Sequence, residues 1–190
     1  MSIENPIIND YIIELPELIN ILPTKSEFLT LLEDEEKNSP MFAENWDGQS
    51  WYNCDHTKVS NAISTFHSNV FSVVNSKRGL STESWLCKKE NGKWIPPHVE
   101  QDSLAVLIYP IDPESYDIQF TDKWADTFIF TEAYKDTMDY EYDVIHTHTY
   151  TCPTLINAKI PHCVPNKEEK ITFYMNCYFA EDFTSWNHLE

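Results

Sequence analysis

Three side chains define the chemistry open to this chain. His98 and Glu100 stand at i and i+2 in Ile95-Pro-Pro-His-Val-Glu100, so on an extended backbone both face the same way. His162 comes much later, placed by Pro161 at the end of a short apolar segment containing Leu155, Ile156 and Ile160. Two imidazoles and one carboxylate on one face leave positions open on a metal, an arrangement that suits non-haem Fe(II). Lys170 then begins the run Ile171-Thr-Phe-Tyr-Met-Asn-Cys-Tyr-Phe179, so a metal and an anionic ligand can be held side by side. Lys170 would meet such an anion as a point charge. Thr172 and Tyr109 offer hydroxyl hydrogen bonds to it.

Each of these residues also has a plain reading. A strand histidine beside two prolines, a turn histidine and a lysine after two glutamates are ordinary surface features. The i, i+2 carboxylate favours His98 as a ligand, and the flanking strands favour His162. Asp102 is an alternative to Glu100 if a bulge intervenes. His146-Thr-His148 is a second same-face pair, compatible with a cupin-like metal cluster. It lacks a carboxylate at matching spacing and ranks lower. The three glycines, at 48, 79 and 92, cannot build a phosphate loop.

The elements that must position these residues are mostly strands. The spacing predicts one or two edge strands over 7–22, interrupted by Pro16, with Thr24 and Glu27 forming a capping box for a short helix. A loop with Trp46, Trp51 and Tyr52 covers 38–54, and a helix runs from Asp55 to about Val74. Strands follow at 83–88, 104–109, from Ile118, at 128–130 and at 143–150, with Asn91-Gly92 a tight-turn signal. The stretch 131–142 reads as an acidic surface loop. Pro165-Asn166 reads as a turn, with His162 at the mouth of a hairpin and Lys170 starting its return strand. Many short strands behind one long helix indicate a mainly β, double-stranded β-helix (a cupin-like jelly roll) with flanking helices.

At 190 residues the expectation is a single domain spanning 1–190, with N-terminal strands and helices over 1–80 and a jelly-roll core over 81–182. The formal charge of -18 repels phosphate backbones and anionic membranes, so neither nucleic acid nor membrane is an expected partner. Five cysteines without a Cys-x-x-Cys pair, no signal-like start and no membrane-length apolar run fit a reducing, cytoplasmic setting. Oligomeric state is left open by the sequence.

Two stretches resemble a known family. Trp85, Gly92 and His98 follow one of its segments in order and spacing. His162, Val164-Pro165-Asn166, Lys170 and Asn176 follow a later one. Over residues 80 to 180 the chain resembles the 2-oxoglutarate/Fe(II)-dependent dioxygenases, especially a small phage and bacterial prolyl-hydroxylase-like group. Glu100 stands where that family usually has Asp. Lys170 stands where Arg is usual, although some prolyl-hydroxylase-like members use Lys. The resemblance implies Fe(II) on His98, Glu100 and His162, with the far carboxylate of 2-oxoglutarate on Lys170. It further implies that 2-oxoglutarate is converted to succinate and CO2 while a C–H bond of an amino-acid side chain, peptide or small metabolite is hydroxylated. The alternative is a catalytically inactive jelly-roll module that binds a ligand or partner, as a viral accessory protein would.

Overall fold

The computed structural model describes residues 7, 9–38, 49–53, 81–89, 92, 95–100, 105–112, 117–123, 141–165 and 168–178. The helix expected over 55–74, the strand at 128–130, most of the 131–142 loop and Asp102 lie outside these residues.

Among the described residues, ten strands form two antiparallel sheets. The chain runs through β1 (Ile12–Glu14), a 3-10 turn (Pro16–Asn20), α1 (Lys25–Asn38), β2 (Gln49–Asn53) and β3 (Ser81–Lys89). It continues through β4 (Ile95–His98), β5 (Ala105–Asp112), β6 (Asp117–Thr121) and β7 (Val144–Thr149). It ends with β8 (Thr154–Asn157), β9 (His162–Val164) and β10 (Lys170–Tyr178). The larger sheet has the order β1-β8-β5-β10-β3-β2 and the smaller β4-β9-β6-β7. From β3 to β10 the chain alternates between sheets at nearly every step, which is the winding of a jelly roll.

This winding changes two local expectations. β9 pairs with β4 and β6, whereas β10 pairs with β3 and β5. The segment between His162 and Lys170 is therefore a crossing from one sheet to the other, not a hairpin. Residues 16–20 form a 3-10 turn rather than a strand, with Pro16 at its start, where a fixed φ and a missing N–H are tolerated. Within the expected 38–54 loop, residues 49–53 are recruited as an edge strand by pairing with β3. Such pairing is a tertiary effect that local propensity does not carry.

The capping box forms as expected. The Thr24 N–H donates to Glu27 Oε2 at 2.9 Å, and the Glu27 N–H donates to Thr24 Oγ1 at 3.3 Å. The helix so started lays Phe28 and Leu32 on one face of the larger sheet, against Ile13, Leu155, Leu107, Phe173 and Leu86. The Phe28 and Phe173 rings are 5.0 Å apart. The opposite face packs on the smaller sheet: Ile12, Ile156, Val106 and Ile108 meet Ile95, Val164, Ile118 and Phe120. Burying each such side chain contributes about 1.5–3 kcal/mol. Among the described residues, no helix is long and apolar enough to cross a membrane.

β10 lies between β5 and β3 in the larger sheet. Strand alternation sends Ile171 and Phe173 to the helix-covered face, and Lys170, Thr172 and Tyr174 into the space between the sheets. Polar side chains and the apolar core of the sandwich thus share one interior.

Candidate metal centre

The smaller sheet sets the candidate ligands by register. His98 ends β4 directly opposite His162, the first residue of β9, and His162 is in turn opposite Phe120 on β6. Cross-strand partners share a face, and Phe120 belongs to the core between the sheets, so both histidines point inward. Both are buried, with ring centroids 4.4 Å apart and planes inclined at 54°. Just beyond β4, the Glu100 N–H donates to the Ala158 carbonyl, which holds the chain in place after the strand. Glu100 Oε1 then lies 3.6 Å from His98 Nε2.

His98, Glu100 and His162 present ligand atoms that all lie within 4.8 Å of one another, a spread compatible with one ion. Each histidine is oriented in the same local way. His98 Nδ1 lies 2.8 Å from the Pro96 carbonyl, and His162 Nδ1 lies 2.9 Å from the Ile160 carbonyl. A carbonyl can only accept, so each Nδ1 carries a proton, and in a neutral ring Nε2 is then the nitrogen with the lone pair. That is the tautomer a metal needs, and the carbonyl contact fixes the ring orientation as well.

The electrostatics agree. Burial, reinforced by the neighbouring His98, pushes His162 down to about 3, so its ring is neutral at ordinary pH. Burial acts to raise Glu100, but the proximity of His98, and after it of His162 and Lys159, outweighs this and holds the carboxyl below its usual range. Neutral imidazole beside ionised carboxylate is the protonation state for divalent-metal binding.

Lys170 and Thr172 face the same interior from the larger sheet, and both are buried. Lys170 Nζ lies 3.5 Å from Glu168 Oε2. Tyr109 is not brought to this face. Its ring packs under α1, 6.5 Å from Phe28, with Lys25 Nζ 6.0 Å above it. The period of two on β5 sends Tyr109 outward with Leu107 and Ile111, and Ile108 inward. His146 and His148 stay apart from the triad. His146 stacks on Tyr11 at 4.6 Å, and His148 Nε2 lies 3.9 Å from Glu14 Oε1. Among the described residues, the group placed to hold an ion is His98, Glu100 and His162, and His146 and His148 do not belong to it.

Sequence reasoning passed over Lys89, the cross-strand partner of Lys170 and equally buried. A signal was present: Cys87 and Lys89 share one face of β3, so a buried Cys87 implies an inward Lys89.

No family model matches the sequence, and no curated protein does. Solved structures do resemble it. A prolyl-4-hydroxylase of Pseudomonas putida is similar at a TM-score of 0.54 and 10% identity, over 88% of this chain and 89% of that one. A prolyl hydroxylase of Trichoplax adhaerens, in complex with a hypoxia inducible factor peptide fragment, gives 0.53 and 11%, over 96% and 88%. HygX of Streptomyces hygroscopicus, with nickel, 2-oxoglutarate and hygromycin B bound, gives 0.52 and 10%, over 90% and 84%. At these identities the likeness is one of fold: this chain has the jelly roll seen in prolyl hydroxylases and in HygX.

Proposed function

We propose that this protein is an Fe(II)- and 2-oxoglutarate-dependent oxygenase that hydroxylates an amino-acid side chain, a peptide or a small metabolite. The observation that carries this reading is the convergence of His98, Glu100 and His162, with each imidazole oriented through Nδ1 by a main-chain carbonyl so that Nε2 is left for a metal. The donor set fits the metal: two nitrogens and one carboxylate leave coordination positions for a bidentate 2-oxo acid and O2. The fold supports it too, since HygX carries 2-oxoglutarate with nickel in the same kind of jelly roll.

When bound, Fe(II) and 2-oxoglutarate would supply an oxidant strong enough to hydroxylate a C–H bond, with succinate and CO2 as coproducts. The residues of this chain have the remaining tasks. His98 and His162 would each offer Nε2 to the ion, and Glu100 would add the negative charge that offsets part of a divalent cation. Lys170 attracts the far carboxylate of the cosubstrate and Thr172 offers it a hydroxyl. The apolar residues between the sheets, Ile108, Ile118 and Phe120 among them, keep bulk water from the interior.

One neighbour is in complex with a peptide fragment and another has hygromycin B bound, which keeps both a peptide and a small molecule in view for this chain. The test is succinate formation from 2-oxoglutarate by the Fe(II)-loaded protein, in the wild type and in His162→Ala. Turnover in the wild type and none in the variant supports the reading. Equal succinate in both defeats it.

A further inference from the structure

A second concentration of buried charge lies on the larger sheet. Lys89 at the end of β3 and Lys170 at the start of β10 are directly opposite each other, and both are at least 97% buried, with exposures of 2% and 3%. Side chains so placed share a face and stand about 5 Å apart at Cβ, where like charges repel. Lys89 Nζ donates to the Glu168 main-chain carbonyl, while Lys170 Nζ lies 3.5 Å from the Glu168 carboxylate. That carboxylate is on a side chain 73% exposed to solvent, so water weakens its hold on the two cations. The pair faces the interior shared with Thr172 and Cys87, whose thiol is neutral because burial pushes it up. On the outer flank, β3 pairs with β2, with Gln49 in register with Lys89.

A sheet gains nothing structurally from two buried ammoniums face to face, whereas a doubly cationic subsite is what a carboxylate with two oxygens can use. We infer that Lys89 is a second cation of the cosubstrate subsite, which with Lys170 takes the distal carboxylate of 2-oxoglutarate and selects a dicarboxylate over a monocarboxylate 2-oxo acid. This rests on the oxygenase reading and adds a specificity-determining residue to it. The titration of Lys89 points the same way. Burial, then the facing Lys170, lowers it to about 8, so its proton is weakly held until an anion arrives.

The test is calorimetric binding to the Ni(II)-loaded protein, which cannot turn over, with two probes: 2-oxoglutarate and 2-oxopentanoate, the latter carrying a methyl group in place of the distal carboxylate. In Lys89→Met, 2-oxoglutarate should bind about tenfold or more weaker, while 2-oxopentanoate should bind as in the wild type. Lys89→Arg should restore part of the loss. The wild type offers a readout that needs no variant. Its 2-oxoglutarate affinity should fall as pH rises from 7 through about 8 and beyond, with 2-oxopentanoate affinity flat over the same range. A Lys89→Met protein that binds 2-oxoglutarate like the wild type, or a flat wild-type pH profile, overturns the inference and leaves the oxygenase reading standing. A wild type that binds Ni(II) but not 2-oxoglutarate at any pH overturns the reading itself.

Discussion

The two sheets prepare their polar residues by different means. On the smaller sheet, His98 and His162 are each oriented by the carbonyl two residues before them, Pro96 and Ile160. The device is local and used twice, and register then places the two rings together. On the larger sheet, Lys89 and Lys170 come from strands far apart in sequence and meet only because β3 and β10 pair. The first arrangement gathers nitrogen donors that suit a cation. The second accumulates positive charge for an anion. On the proposed function, the candidate metal site and the candidate cosubstrate subsite are built on different sheets, so each should be damaged alone.

The strongest break in that comparison is His162→Ala or His98→Ala, which should lower divalent-metal affinity by more than about 100-fold, since losing even an outer-shell partner of a ligand costs up to that much. Equilibrium dialysis against Ni(II) checks it. Next comes Lys170→Met, expected to weaken 2-oxoglutarate binding by about 30-fold or more while Ni(II) binding stays within about twofold. A parallel loss of metal would show that the sites are not separable. The metal-free protein should also be acid-sensitive in a defined window. His162 is held to about 3 in the fold and titrates near 6.5 when unfolded, so the unfolded chain binds the extra proton between those values. Stability from this group is full above pH 6.5 and falls by about 1.4 kcal/mol per pH unit as pH drops toward 3, measurable by urea denaturation. The smallest effect is expected from Thr24→Ala, which removes the α1 cap far from both sites. It should cost about 1 kcal/mol and leave both affinities unchanged.

What was legible in the sequence follows the same division. The i, i+2 pair His98 and Glu100, the proline before His162 and the Thr24–Glu27 box are short-range patterns, and their geometry is set within a few residues. The jelly roll was readable from many short alternating strands. Register was not. Tyr109 is one residue out of phase with the inward face of β5, and that single step moves it under α1. The apparent hairpin between His162 and Lys170 is a crossing because β9 and β10 find partners in different sheets. Lys89 was passed over, and its pairing with Lys170 is what draws attention to it. Long-range pairing decides all three, and one sequence does not display it.

The most direct test of the central claim is an anaerobic titration of the protein with Fe(II) and then 2-oxoglutarate, watching for the weak visible metal-to-ligand charge-transfer band. The account expects a saturable band in the wild type that is absent in His162→Ala. A well-folded wild type that gives no band at any concentration, or a variant whose band is undiminished, would contradict it.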